Sequence, residues 1–122
     1  MSLEIRTADD VVILNPRGML LGGAETDELE EKIKDLDGKG NEKLLINLGK
    51  TTFMSTMGMR VLFWAHAKYV KRGARVKLCC IDRKIREVFV LVKLTLVYGD
   101  DIHDTEADAL AAFRQPVGSA SP

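Results

Sequence analysis

Residues 43–81 constrain the fold more tightly than any other stretch of the chain. Lys43–Leu48 reads as a strand with a short apolar run, Met57–Val70 is a long apolar segment of helix length, and Ala74–Ile81 is again strand-like. Gly73 stands where a left-handed helix stop belongs. Strand, helix and strand in such close succession make a crossover unit, with two parallel strands and the helix packed across them. The first half of the helical segment is apolar nearly all round, which predicts a well-buried helix.

The pattern extends in both directions. Leu3–Arg6 alternates like a strand with one buried face, and Ala8-Asp9-Asp10 turns the chain into Val11–Leu14 as a hairpin. Pro16 and Gly18 end or bend that strand. After Gly22-Gly23, Leu29, Ile33 and Leu36 recur at helical spacing, and 37–40 stops the helix. Asp82 is an N-cap for a helix turning Ile85, Val88, Phe89 and Val92 inward. Leu94–Val97 reads as a short fifth strand, Gly99-Asp100-Asp101 as a turn. Thr105 caps a last helix with Leu110 and Phe113 facing the core. The expected order is β-β-α-β-α-β-α-β-α: a single α/β domain over residues 1–115, with a mixed, mainly parallel sheet of about five strands and four helices. Residues 116–122 read as a flexible tail.

A chain of 122 residues, 46% hydrophobic, buries enough surface to fold without disulfide or metal. No run approaches the length of a membrane span, and no basic segment followed by an apolar one opens the chain. The expectation is a cytoplasmic protein without membrane contact. The adjacent Cys79 and Cys80 suit neither staple nor metal site: within a strand they point to opposite faces, and reduced thiols are expected.

Eighteen basic and eighteen acidic side chains cancel, but not locally. Residues 19–37 carry a net −5, residues 60–93 hold ten Lys or Arg against only Asp82 and Glu87, and residues 94–122 carry −4. Such blocks either steer a charged partner or coat solvated helix faces. A nucleic-acid binder using the basic block is disfavoured, because two tyrosines and one tryptophan offer few stacking platforms.

Catalytic constellations are sparse. His66 falls mid-helix and His103 in a turn, without companions at metal-ligand spacing. Gly22-Gly23 lacks the remainder of a phosphate loop. Asp9-Asp10 sits in a hairpin, and the third strand ends in Asn47-Leu48 without the acidic acceptor of a receiver domain. The reading is not an enzyme, with no cofactor and no metal.

The chemistry-bearing stretch is Lys50–Arg60, where Ser55 and Thr56 stand side by side at the start of the long helix. Two roles are open for these hydroxyls. One is helix capping. The other is phosphorylation, beside free backbone N–H groups and the positive helix end, where nearly two added negative charges can abolish docking. Met54, Met57 and Met59 cluster there as either a docking surface or core filler.

The run LLINLGKTTFMSTMGMRVLFWAHAKYVKRGARVKL, with the strand order and length, resembles the STAS domain of bacterial anti-sigma factor antagonists. The matching residues are Asn47-Leu48, Phe53, Gly58, Val61-Leu62, Gly73 and Gly18, and the resemblance spans about residues 3–113. It implies a phosphoacceptor at Thr56, with Ser55 as second choice. Ser55 itself falls where the family has an aspartate, Met57 on its second hydroxyl and Arg60 on its second glycine. Leu21 falls near a position often acidic, and Lys93 on a glycine. The site thus lacks both carboxylates of the family pattern.

The resemblance implies a regulatory module that docks onto an anti-sigma factor or serine/threonine kinase of the ATPase type, with a PP2C-type phosphatase as a further partner. The docking set is Met19, Leu21, Gly22, Gly23, Lys50, Thr52, Met54, Ser55, Met57, Gly58, Met59 and Arg60. The alternative is a STAS scaffold or sensor domain, never phosphorylated, that assembles with other STAS proteins. A monomer or weak homodimer is expected.

Overall fold

The computed structural model describes residues 3–115, so the tail expected at 116–122 lies outside them. A five-stranded mixed sheet has the order β1-β2-β4-β6-β7, formed by β1 (Leu3–Ala8), β2 (Val11–Pro16), β4 (Lys43–Asn47), β6 (Arg75–Cys79) and β7 (Ile102–His103). β1 and β2 pair antiparallel through the two-residue turn Asp9-Asp10, and all other neighbours are parallel. A separate two-stranded parallel ribbon joins β3 (Gly18–Leu20) to β5 (Thr51–Met54).

Helices cover both faces. α1 (Ala24–Gly38), α2 (Thr56–Lys71), α3 (Arg83–Leu91) and α4 (Leu94–Tyr98) share one core with Leu14, Leu44, Ile46, Val76 and Leu78. α5 (Glu106–Phe113) closes the other face over Val11, Ile13, Leu45 and Cys79. This two-sided burial is why Leu44–Ile46 is apolar without alternation: successive side chains go to opposite faces and both are dry.

Several local signals act as the sequence predicts. Gly73 is left-handed (φ 76°) and ends α2 in a Schellman motif, with Ala74 N donating to Tyr69 O at 2.9 Å and Gly73 N to Val70 O at 3.0 Å. Asp82 accepts from Lys84 N at 3.0 Å, and Thr105 from Asp108 N at 3.1 Å, so both caps are made.

The fifth strand is a correction. Leu94–Val97 is not a strand but the first four residues of α4. Leu94 and Tyr98, four apart, are buried together while Leu96 and Val97 face out, and the Tyr98 hydroxyl donates to Leu62 O at 2.7 Å. The edge strand is instead the two-residue β7, in a segment expected to be a turn. The ribbon of β3 and β5 also lies in segments the sequence marks as bend and loop. Its hydrogen-bond partners are some thirty residues away, so no local pattern announces it.

Candidate functional site

α2 begins where the ribbon ends. Met19 pairs with Phe53 and Leu20 with Met54 in the parallel register, and Ser55 N donates to Leu20 O at 3.0 Å. The backbone of β3 is thereby drawn against the first turn of α2. Gly58 makes this approach possible: a Cβ at that position would lie 2.4 Å from Leu20 O. Gly22, left-handed at φ 96°, closes the second contact, since its Cβ would sit 2.9 Å from the Met57 Cβ. Two glycines thus let segments 18–22 and 55–58 share one corner.

At that corner Ser55 occupies the N-cap position of α2 in extended conformation, yet its side chain makes no cap bond. Its hydroxyl points back toward Leu20 O at 3.5 Å. Thr56 is the first helical residue and is exposed. Neither hydroxyl does the capping that local sequence allows. The α2 start therefore keeps unsatisfied backbone N–H groups at the positive end of its dipole.

The methionines separate. Met54 and Met59 are buried in the core, and Gly58 is covered, so these three shape the corner from beneath and do not present side chains to a partner. Met57 is 53% exposed, alongside Met19 at 53%, Leu21 at 48% and Phe53 at 41%. Phe53 is the residue absent from the sequence-derived docking set. The signal for it was weak, because Thr51 and Met54 are buried in β5 while Thr52 and Phe53 between them are exposed, a pattern without strict alternation. Gly22, Gly23 and Thr52 are exposed as well. Arg60, one turn beyond Thr56, holds Glu30 of α1 at 3.3 Å.

Lys50 belongs elsewhere. Its ammonium pairs with Glu4 at 3.1 Å and lines an open hollow of about 500 Å³ with Arg6, Asn15, Asn47, Gly49 and Cys80. This is the carboxyl edge of the main sheet, and its polar groups are mutually engaged. Arg6 donates to the Glu106 carboxylate at 2.6 and 3.1 Å and to Asn15 Oδ1 at 2.7 and 3.2 Å. Asn47 donates to Glu106 at 2.8 Å and accepts from Gly49 N at 2.8 Å. The Arg6 hydrogen bonds hold the Glu106 carboxyl below the usual range; burial pushes the other way, and the Asn47 hydrogen bond adds a smaller lowering effect.

The histidines occupy other surroundings. His66 packs edge-on against Tyr98, with ring centres 4.7 Å apart. His103 lies in β7, where burial and then the nearby Lys77 lower its pKa. Among the described residues, no three His, Cys, Asp or Glu side chains are grouped to hold a metal ion. No described helix is long and apolar enough to cross a membrane.

Comparison with known proteins agrees with this architecture. A Bordetella bronchiseptica protein named as a candidate anti-sigma factor antagonist, BtrV, is 23% identical over 114 residues, covering 93% of this chain and 96% of the relative. The crystal structure of a candidate anti-sigma factor antagonist from Thermotoga maritima superposes with a TM-score of 0.84 at 22% identity, over 92% of this chain and 94% of that one. The Bacillus cell fate determinant SpoIIAA in its phosphorylated form superposes with a TM-score of 0.73 at 18% identity, over 92% and 99%. The family model of the STAS domain matches residues 2–109. With nearly its whole length matched, this chain belongs to the STAS domain family.

Proposed function

We propose that this STAS domain is a regulatory binding module of the anti-sigma factor antagonist type. It docks through the α2 corner, and phosphorylation of Thr56 switches it off. The observation that carries this reading is the surface itself: Met19, Leu21, Phe53 and Met57 lie exposed around a hydroxyl that no intramolecular role consumes. Burying a Phe or Met side chain fully is worth roughly 1.5–3 kcal/mol, so a partner gains from covering them. Similarity to proteins named as anti-sigma factor antagonists supports an anti-sigma factor with serine/threonine kinase activity as that partner. Such a partner places the module in the cytoplasm. The existence of a phosphorylated form of the similar SpoIIAA supports a phosphate as the switch.

In the transfer, the Thr56 Oγ attacks the γ-phosphorus of ATP held by the kinase, ADP leaves, and a base on the kinase takes the hydroxyl proton. This chain contributes position and product stabilisation. The phosphate sits over the open N–H groups of α2. Arg60 reaches it from one turn away by releasing Glu30. The added charge then desolvates poorly against an apolar partner, and docking is lost. ATP and Mg²⁺ belong to the kinase, and a PP2C-type phosphatase would reverse the modification.

The test is incubation with Mg-ATP and a serine/threonine kinase of the anti-sigma factor type from the same organism, followed by peptide mass spectrometry. Phosphate on Thr56, absent from Thr56→Val, is expected. No phosphate on either Thr56 or Ser55 would sink the switch and leave the unphosphorylated scaffold that assembles with other STAS proteins.

A further inference from the structure

At the carboxyl end of β6 the two cysteines do not diverge. Cys79 is the last strand residue, paired with His103, and its side chain is buried in the α5-side core. Extended geometry would send the next side chain to the opposite face. Instead Cys80 turns left-handed, with φ at 64°, a conformation that non-glycine residues rarely adopt. Its sulfur comes to 3.2 Å from the Cys79 sulfur, on the same side of the sheet. Cys80 is half-buried and lines the open hollow with Arg6, Asn15, Asn47 and Lys50. One thiol is enclosed and its neighbour is reachable from solvent.

We propose that Cys79 and Cys80 form a vicinal dithiol that hydroperoxides convert to an intrachain disulfide and that trivalent arsenicals bridge. The Cys80 thiolate attacks the outer peroxide oxygen, the O–O bond breaks, and Cys80 becomes a sulfenic acid as the peroxide is reduced to water or an alcohol. Cys79 then attacks the Cys80 sulfur. The S–O bond breaks, water leaves with the Cys79 proton, and the S–S bond forms. The two sulfurs start 3.2 Å apart and close to about 2.05 Å, in a ring that adjacent Cα atoms about 3.8 Å apart make strained and readily reduced. Burial, reinforced by the neighbouring Cys80, raises the Cys79 pKa and keeps that thiol protonated, which leaves the first attack to Cys80.

Closure acts on the surrounding backbone. Cys79 O accepts from Leu48 N at 3.0 Å, Cys80 N donates to His103 O at 3.3 Å, and a Cβ added at Gly49 would lie 3.4 Å from the Cys80 Cβ. The twist of the closed ring therefore falls on the Leu48–Gly49 turn and on β7. None of this depends on the α2 corner being a docking site.

The experiment treats the full chain with stoichiometric hydrogen peroxide and follows the tryptic peptide Leu78–Arg83, which holds both sulfurs. The expected product is that peptide lighter by two hydrogens, closed to iodoacetamide and restored by dithiothreitol. Phenylarsine oxide is expected to bind at one equivalent to the wild type and to neither Cys79→Ser nor Cys80→Ser. Peroxide consumption should fall about tenfold in Cys80→Ser, whereas Cys79→Ser should accumulate a dimedone-reactive sulfenic acid. The proposal is overturned if Cys80 passes to sulfinic acid while Cys79 stays alkylatable, if only covalent dimers form, or if the wild type takes up no arsenical.

Discussion

The α2 corner and the carboxyl edge of the main sheet lie on either side of the short Gly49–Lys50 link, yet they solve opposite problems. At the sheet edge every strong polar group has an internal partner: Arg6, Asn15, Asn47 and Glu106 form one network, and Lys50 holds Glu4. At the corner the backbone is close-packed beneath, but what faces out is a bare helix start and four exposed apolar side chains. A surface whose groups satisfy one another gains little from a partner. A surface of exposed apolar area around an unused hydroxyl gains from any partner that covers it. Under the proposed function, docking falls to the corner and the sheet edge serves mainly stability.

The strongest way to break this contrast is to remove the foundation of the corner. Gly58→Ala forces a Cβ to within 2.4 Å of the Leu20 carbonyl, and neither backbone segment can retreat without undoing the ribbon. The expected loss is about 3 kcal/mol of folding stability, read as a lower urea midpoint with an unchanged slope. An unshifted midpoint would show that the approach of β3 to α2 is loose.

Phe53→Asp and Met57→Lys test the corner's outward face. Each is expected to weaken partner binding by about 2 kcal/mol, roughly thirtyfold, while moving the urea midpoint little, because these side chains are exposed. Calorimetric titration against the partner kinase checks this. Equal losses from Lys50→Ala would shift the docking surface toward the sheet edge.

At the sheet edge the expectation is reversed. Asn47→Ala leaves Gly49 N without its acceptor and takes one of two donors from Glu106 Oε1, which keeps Arg6, costing about 1–2 kcal/mol of stability and no binding. Glu106 also sets an acid limb. Its folded pKa is depressed, so its contribution is present above the unfolded carboxylate value and fades as pH falls through the lower folded one. Urea midpoints measured from pH 7 to pH 3 should therefore fall less steeply in Glu106→Gln than in the wild type.

The smallest effect is a control outside both regions. Lys93 ends α3 in a left-handed conformation, φ 64°, which glycine adopts without strain. Lys93→Gly should stabilise the fold by up to about 1 kcal/mol in the same urea assay, without altering binding or the acid limb.

The helices and the central strands were legible because their determinants are local. Leu29, Ile33 and Leu36 share one helical face, Asp82 and Thr105 cap the helices they precede, and Gly73 supplies the turn only glycine adopts easily. Thr56 was legible as an exposed hydroxyl at a helix start for the same reason. The elements that escaped are those decided by distant partners. Leu94–Val97 has the composition of a strand, but burial of Leu94 together with Tyr98, four residues on, in the core shared with α2 favours a short helix. Ile102-His103 has almost no strand signal and becomes one because Leu78 and Cys79 present an open edge.

The sequence by itself determined the alternating α/β order, the two-sided burial of the central strands and the place where α2 starts, since periodicity and caps act within a few residues. Tertiary structure alone decided which methionines are core and which are surface, that Phe53 is exposed beside Thr56, and that two adjacent cysteines meet. Those outcomes depend on which chain segment arrives across the fold, as β3 does over Gly58, and on the space left once it is there.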